Sequence, residues 1–506
     1  MKRNGAIFES CRSPRREGKA RKNCIIARNK HMNIDLKNLT IEKAHEHLKN
    51  GDFTVLELAN AYLEVINKKN PEINAYIEIY DDIEEQAKIA QEKFANNTAT
   101  LMTGIPVALK DNMLREGFVS SCGSKSLENY KATYNAFVVD ELKNQGVVFL
   151  GRANMDEFAM GSSTETSAFG ITKNPLDTSR VPGGSSGGSV AAVAMDGALC
   201  ALGTDTGGSI RQPASFCNLV GLKPTYGNVS RGGIIALASS LDQVGPITKN
   251  VRDAEILYNA ISAYDKLDST STPIEKRLKP EAIKKRLGVP REFLKGEGID
   301  GEVLKNFQES CEKLGKMGYE IVDVSLPLIK YSLAVYYILQ PAEASSNLAR
   351  YDGLRYGHHE EGKDLLDVYK RNRGKGFGKE VRRRILLGTY ILSHGYYDAY
   401  YNASVLVRKA IRKELMNAFN DVDAIITPTS PFLPFKFGEK SKDPVSMYLS
   451  DIFLAPGNIA GIPAISVPSG KNETGLPYGL QIMAPFLRED ILFTVGKDFE
   501  RSINSN

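Results

Sequence analysis

The chain has few of the residues on which hydrolytic and redox sites are most often built. Its six histidines, His31, His45, His47, His358, His359 and His394, all lie far in sequence from its serine-rich segments. No G-x-S-x-G elbow sits on a strand–turn–helix, although a Ser-His-Asp triad assembled from distant segments stays open. Its six cysteines, Cys11, Cys24, Cys122, Cys200, Cys217 and Cys311, are scattered, with no C-x-x-C pair and no histidine at ligand spacing. That argues against a disulfide framework or any metal site, and for reduced thiols in a cytoplasmic setting. Long apolar runs are also missing: Val190 to Leu202 is interrupted by Asp196 and is too short to span a bilayer.

Charge of one sign is scarce as well. The chain carries +5 overall, yet residues 1–31 alone carry +8, which leaves −3 for the remainder. Overall charge therefore gives no basis for a nucleic-acid-binding surface. The basic extension, 1–31, has no strong apolar periodicity and reads as disordered. It fits a targeting arm poorly because of Glu9 and Glu17. A tether to an acidic partner is a second reading. An upstream start is the third, favoured because Met32 opens a natural beginning.

Residues 32–506 read as one domain. Its first part, 32–100, is helical from Thr40 to about Asn97. Thr40 with Lys43 and Thr54 with Glu57 have the spacing of helix N-caps, and Leu56, Leu58, Ala61, Leu63 and Ile66 are read as the apolar face of the second helix. Beyond Thr103 the texture becomes α/β. Ile105–Leu109, Val147–Leu150, Leu199–Gly203, Ala424–Thr427, Ala464–Val467 and Gly479–Met483 are short apolar runs bounded by Gly, Pro or Asn, as buried strands are. Ala282 to Val289 is a further candidate. Helical segments between them predict a mixed central sheet covered by helices on both faces. The core spans 101–265, and 266–506 adds helices and the remaining sheet.

What is present is glycine beside serine. Gly183-Gly184-Ser185-Ser186-Gly187-Gly188-Ser189 and Asp205-Thr206-Gly207-Gly208-Ser209 stand close together in the chain. Glycine lets a backbone approach a substrate and aim N–H groups at it, as acyl transfer requires around a nucleophilic hydroxyl. The first cluster is not a linker, because it runs into the apolar helix Val190–Met195 and a strand. A P-loop would need a closing Gly-Lys-Ser/Thr. An aspartic-protease reading of Asp205-Thr206-Gly207 lacks its second carboxylate motif. With no histidine nearby, a lysine is the alternative base. Lys110 ends the run Ile-Pro-Val-Ala-Leu, where α/β active-site residues gather. To act near neutral pH its pKa must fall from ~10.4 to near 7, a cost of about 4 kcal/mol. Asp111 opposes that unless its carboxylate turns away.

Lys110, Ser185 and Ser209, with the flanking segment from Gly183 to Thr225, resemble the amidase signature family in order, spacing and surroundings. The resemblance runs from about residue 35 to the C-terminus. It implies that Ser209 is the nucleophile, that Ser185, in a cis linkage to Gly184, relays its proton, and that Lys110 is the final base. Thr206, Gly207 and Gly208 would form the oxyanion hole. Arg211 is expected to pair with a buried carboxylate such as Asp205. Segments 154–170, 230–248, 343–357, 382–401 and 448–470 are similar to glutaminase subunits of the glutamyl-tRNA(Gln) amidotransferases. That likeness implies a glutamine pocket with Arg384 on the α-carboxylate, Asp451 on the α-ammonium, and a hydroxyl from Tyr336 or Tyr337; a bidentate guanidinium suits a carboxylate. It also implies partner subunits B and C, which receive ammonia and handle Glu-tRNA(Gln), ATP and Mg, with no cofactor in this chain. A stand-alone amidase on another small amide is the alternative.

Overall fold

The computed structural model describes residues 34–273, 275, 282–296, 298–355, 357–440 and 447–504. The basic extension 1–31 lies outside them. Asp35–Asn506 form one compact unit.

Two polar caps start the first helices. The Thr40 hydroxyl accepts from the Lys43 N–H to open Ile41–Asn50, and Thr54 forms a reciprocal capping box with Glu57 at the start of Val55–Ile73. The buried stripe of the second helix is Val55, Leu58, Ala59, Tyr62 and Ile66. This corrects the expected face: Leu56 is exposed and Leu63 half-buried, because steps of three and four residues, not alternation, select one side.

Among the described residues eleven strands form one sheet. They are β1 (Tyr76–Ile79), β2 (Pro106–Lys110), β3 (Val148–Ala153), β4 (Cys200–Asp205), β5 (Val220–Lys223), β6 (Gln243–Thr248), β7 (Arg286–Val289), β8 (Glu320–Asp323), β9 (Ala424–Pro428), β10 (Ala464–Lys471) and β11 (Pro477–Met483). Their spatial order is β1-β3-β2-β4-β6-β5-β10-β11-β9-β7-β8. The sheet is mixed. β3, β2 and β4 run parallel, as do β9, β7 and β8, while the strands between pair antiparallel. Helices cover both faces. β1 corrects the helical reading of residues 40–97: the chain leaves its helix through Asn74 in the left-handed region (φ 55°) and pairs antiparallel with β3. The run Ala282 to Val289 yields a strand only from Arg286.

The sheet places two chain ends side by side. β2 and β4 are hydrogen-bonded in parallel, so Lys110 and Asp205 emerge from neighbouring carboxyl ends. The helix Gly187–Ala194 packs on both strands and is buried throughout its first seven residues. The glycine-serine cluster before it is therefore held over the same edge.

Candidate active site

Lys110 is fully buried, and its Nζ stands 2.8 Å from Ser185 Oγ, 2.8 Å from Ser186 Oγ and 2.9 Å from Thr204 Oγ1. Among the described residues no carboxylate bonds to it. Burial pulls its pKa down to about 7, outweighing the attraction of Asp156, Asp205 and Asp242. The Asp111 carboxylate turns away: it accepts from the Ser121 hydroxyl, the Ser121 and Gly123 N–H groups and Arg152 Nη1.

The surrounding donors orient the amine. The Ser186 hydroxyl donates to the Thr204 carbonyl at 3.2 Å, and Thr204 Oγ1 accepts from Asn112 Nδ2 at 3.0 Å. Ser186 Oγ, its own proton committed to Thr204 O, can accept one N–H of a neutral lysine, and with Thr204 Oγ1 accepting the second the lone pair is free for the Ser185 hydroxyl. The arrangement can draw a proton from Ser185.

Ser209 is joined to this cluster through the backbone, its carbonyl accepting from the Ser186 N–H at 3.1 Å. Lys110 and Ser185 are fully buried, whereas Ser209 is 8% exposed. Of these three residues only Ser209, the one expected to meet substrate, has any exposure. The Gly184–Ser185 peptide is cis.

The loop that carries Ser209 is anchored by a buried ion pair. Arg211 and Asp205 are both fully buried and form a two-pronged pair, Nε to Oδ2 and Nη2 to Oδ1, each at 3.0 Å. Burial would raise the Asp205 carboxyl, but Arg211 overrides it and holds the pKa near 2. Arg211 also donates to Gln481 Oε1 at 2.6 Å and Asn458 Oδ1 at 2.5 Å. The Gly208 N–H donates to Asp205 Oδ1 at 2.8 Å. This corrects the expected oxyanion set, since an amide committed to a buried carboxylate is not aimed at substrate. The Thr206 hydroxyl is likewise spent, donating to Asp242 at 2.7 Å. The Thr206 and Gly207 amides remain the candidates.

The four residues expected to hold an amino acid come together around the helices Ser332–Asn347 and Lys379–Ile391. Arg384 is buried while Arg382 beside it is exposed, and its guanidinium lies 5.2 Å from the Tyr337 ring and 5.3 Å from the Tyr448 ring. The Tyr337 hydroxyl donates to Asp451 Oδ2 at 2.9 Å. Burial pushes the Asp451 carboxyl up to about 7, against the pull of Tyr337 and Arg384. Tyr336 packs directly over Gly207: a Cβ there would lie 2.4 Å from the tyrosine ring. The cluster of Tyr336, Tyr337, Arg384 and Asp451 therefore adjoins the loop that carries Ser209, and glycine at 207 is what allows the close approach.

Several members of the site were not singled out from sequence. Tyr448 stacks on Tyr337 at 3.7 Å between centroids. The Ser162 hydroxyl donates to Asp451 Oδ1 at 3.4 Å, and Gln340 accepts from Arg384 Nη1. Gln340 is one helical turn beyond Tyr336, and that spacing was the available signal. Ser186 and Thr204 adjoin residues already marked.

Known proteins share both the sequence pattern and the fold. A family model described as Amidase matches residues 57–493. The glutamyl-tRNA(Gln) amidotransferase A subunit of Thermoanaerobacter pseudethanolicus is 53% identical over 481 residues, covering 94% of this chain and 98% of that protein. Its counterpart in Caldanaerobacter subterraneus subsp. tengcongensis is 52% identical over 476 residues, covering 93% and 97%. The crystal structure of the glutamyl-tRNA(Gln) amidotransferase A subunit from Thermotoga maritima, 43% identical, aligns with a TM-score of 0.74 over 94% of this chain and 96% of that one. The chain belongs to the amidase signature family.

Proposed function

We propose that this chain is the glutamine-hydrolysing subunit of an amidotransferase that converts Glu-tRNA(Gln) to Gln-tRNA(Gln). The observation that carries the chemistry is the uncharged-lysine setting of Lys110, bonded to Ser185 and to no carboxylate among the described residues. Likeness to the amidotransferase subunits carries the substrate.

In this reading Ser209 Oγ attacks the side-chain amide carbon of glutamine. Its proton passes to Ser185, and the Ser185 proton passes to the Lys110 lone pair. The Thr206 and Gly207 amides stabilise the developing oxyanion. Collapse of the tetrahedral intermediate breaks the C–N bond, and the proton held on Lys110 returns through Ser185 to the leaving nitrogen. Ammonia departs, and water attacking the acyl-enzyme releases glutamate. Arg384 pairs with the α-carboxylate and Asp451 with the α-ammonium. Ammonia then passes to subunits B and C, where ATP and Mg support amidation of the tRNA-bound glutamate.

The test is to co-purify the full chain with its cognate B and C chains and supply Glu-tRNA(Gln), ATP and glutamine. Glutamine-dependent formation of Gln-tRNA(Gln) is expected. Robust turnover of aryl or aliphatic amides by the isolated chain, with no glutamine dependence in the complex, would establish a stand-alone amidase instead.

A pH profile follows from the two shifted groups. The free enzyme must hold Lys110 uncharged and Asp451 ionised, and both change state near pH 7. Both are lost by protonation, so kcat/KM for glutamine falls on the acid side. Two required deprotonations give a limiting slope of about 2 in log(kcat/KM) against pH. Asp451→Asn is expected to leave a slope of about 1 with a much higher KM. A slope of 1 in the unaltered enzyme would remove one of the two groups from this scheme.

A further inference from the structure

The segment Asp156 to Ser162 touches three parts of the candidate site. The Asp156 N–H donates to the Ser185 carbonyl at 3.2 Å, and the Ser162 hydroxyl reaches Asp451. Between them the buried Glu157 grips the root of the helix that supplies Arg384. Its Oε2 accepts the Gly378 N–H at 2.8 Å, and its Oε1 accepts the Ser124 hydroxyl at 2.5 Å. The next residue repeats the contact with a ring: Phe158 meets Phe377 edge-on, 5.6 Å between centroids. Glu157 and Phe158 thus clasp Phe377 and Gly378. Phe158 and Ala159 hold φ of 48° and 59°, and successive non-glycine residues stay in that left-handed region only where surrounding contacts fix them.

The clasp supplies what the helix lacks. Lys379–Ile391 opens on Gly378, which has no side chain to cap it. A carboxylate from 221 residues earlier stands at that end instead, where the helix dipole favours negative charge. Gly378 has φ −67° and ψ 171°, open to any residue. What glycine provides there is space, since a Cβ would collide with Glu157 Oε2. Further along, a Cβ on Gly388 would run into the Pro341 carbonyl, so the helix rests backbone-to-backbone on Ser332–Asn347. Arg384 lies between these two supports, about 9 Å from Gly378 and about 6 Å from Gly388 along the helix axis. A helix released at Gly378 pivots on Gly388 and carries Arg384 with it.

We propose that Glu157 is a positioning residue for glutamine: by fixing Gly378 it sets the place of Arg384 relative to the loop that carries Ser209. The inference rests on the glutaminase reading above, in which Arg384 takes the α-carboxylate. That carboxylate is held alike in the ground state and the transition state. Misplacing its partner therefore raises KM and leaves kcat nearly unchanged.

The experiment measures ammonia release from glutamine by the full chain assembled with its cognate B and C chains. Glu157→Met removes the acceptor at similar volume and is expected to raise KM about 10- to 100-fold, the scale of a displacement of about 1 Å. Its kcat should stay within about threefold of wild type. Labelling of Ser209 by a fluorophosphonate probe, which carries no α-carboxylate, should keep its rate. Glu157→Gln still offers an oxygen to the Gly378 N–H and is expected to rescue KM to within about threefold of wild type. In an Arg384→Met background, Glu157→Met should raise KM by less than about threefold more, because both losses act through one group. Should Glu157→Met fail to fold, Gly378→Ala drives the same carboxylate aside and is expected to give the same split. A wild-type complex that does not hydrolyse glutamine removes the glutaminase reading and this proposal with it. With that reading standing, any of four results overturns the positioning role alone. They are an unchanged KM, a loss of kcat and Ser209 labelling equal to the change in KM, independent penalties in the Arg384→Met background, or Glu157→Gln as impaired as Glu157→Met.

Discussion

Ser209→Ala is expected to lower glutamine hydrolysis by about 10⁴- to 10⁶-fold, the loss seen when the nucleophile of a serine triad is removed. Ammonia supplied directly should still support formation of Gln-tRNA(Gln) by the assembled complex. The reason is spatial. Ser209 is joined by its backbone to the Ser185–Ser186 loop, and its side chain takes no part in the Asp205–Arg211 anchorage. Removing one oxygen therefore deletes the attacking atom without unfastening the loop. Glutamine-dependent and ammonia-dependent rates measured on the same preparation decide the matter. Loss of both would contradict a division between an ammonia-producing and an ammonia-using chain.

Arg211→Met should produce the largest loss of stability from a single substitution at the site, about 3–5 kcal/mol, because it strands a fully buried carboxylate. The pH dependence distinguishes this cause from simple loss of packing. In the wild type Asp205 is held near pKa 2, so its contribution is complete above about pH 4 and is lost only as pH falls toward 2. Without the guanidinium, burial raises the Asp205 pKa above its unfolded value. The variant then fares best in acid and loses stability as pH rises, reversing the sign. Asp205→Asn combined with Arg211→Met should recover part of the deficit at pH 7. Urea unfolding at pH 5 and pH 7 provides the check, and a pH-independent deficit would refute the stranded-charge account.

How much of this was legible in the chain depended on distance in sequence. Strands with unbroken apolar runs, such as β2, β4 and β9, were visible because both their faces are buried. β6 was not: it contains Gly245 and Pro246, which read as loop signals, yet it lies wholly buried between β4 and β5. β1 was hidden by its brevity between two helices. Lys110 and the serines stood out because core elements flank them directly. Arg384 could not be separated from Arg382 and Arg383 by residue type. Only the phase of the helix against its neighbour buries one and exposes another. Ser162 reaches Asp451 across 289 residues, a contact no local pattern encodes. The Gly208 amide was misassigned because nothing in Thr-Gly-Gly reveals that Asp205 folds back on it.

The proposed chemical apparatus and the groups proposed to face the amino acid come from different stretches of chain. Lys110, Ser185 and Ser209 belong to one end of the sheet and its loops, whereas Tyr336, Gln340, Arg384, Tyr448 and Asp451 arrive later on helices and a short turn. They meet where Tyr336 lies over Gly207 and where the Ser162 hydroxyl reaches Asp451. Such a layout is modular in an evolutionary sense. The later segments can be remodelled to admit a different amide while the hydroxyl–amine machinery is inherited intact, so divergence in substrate need not pass through an inactive ancestor.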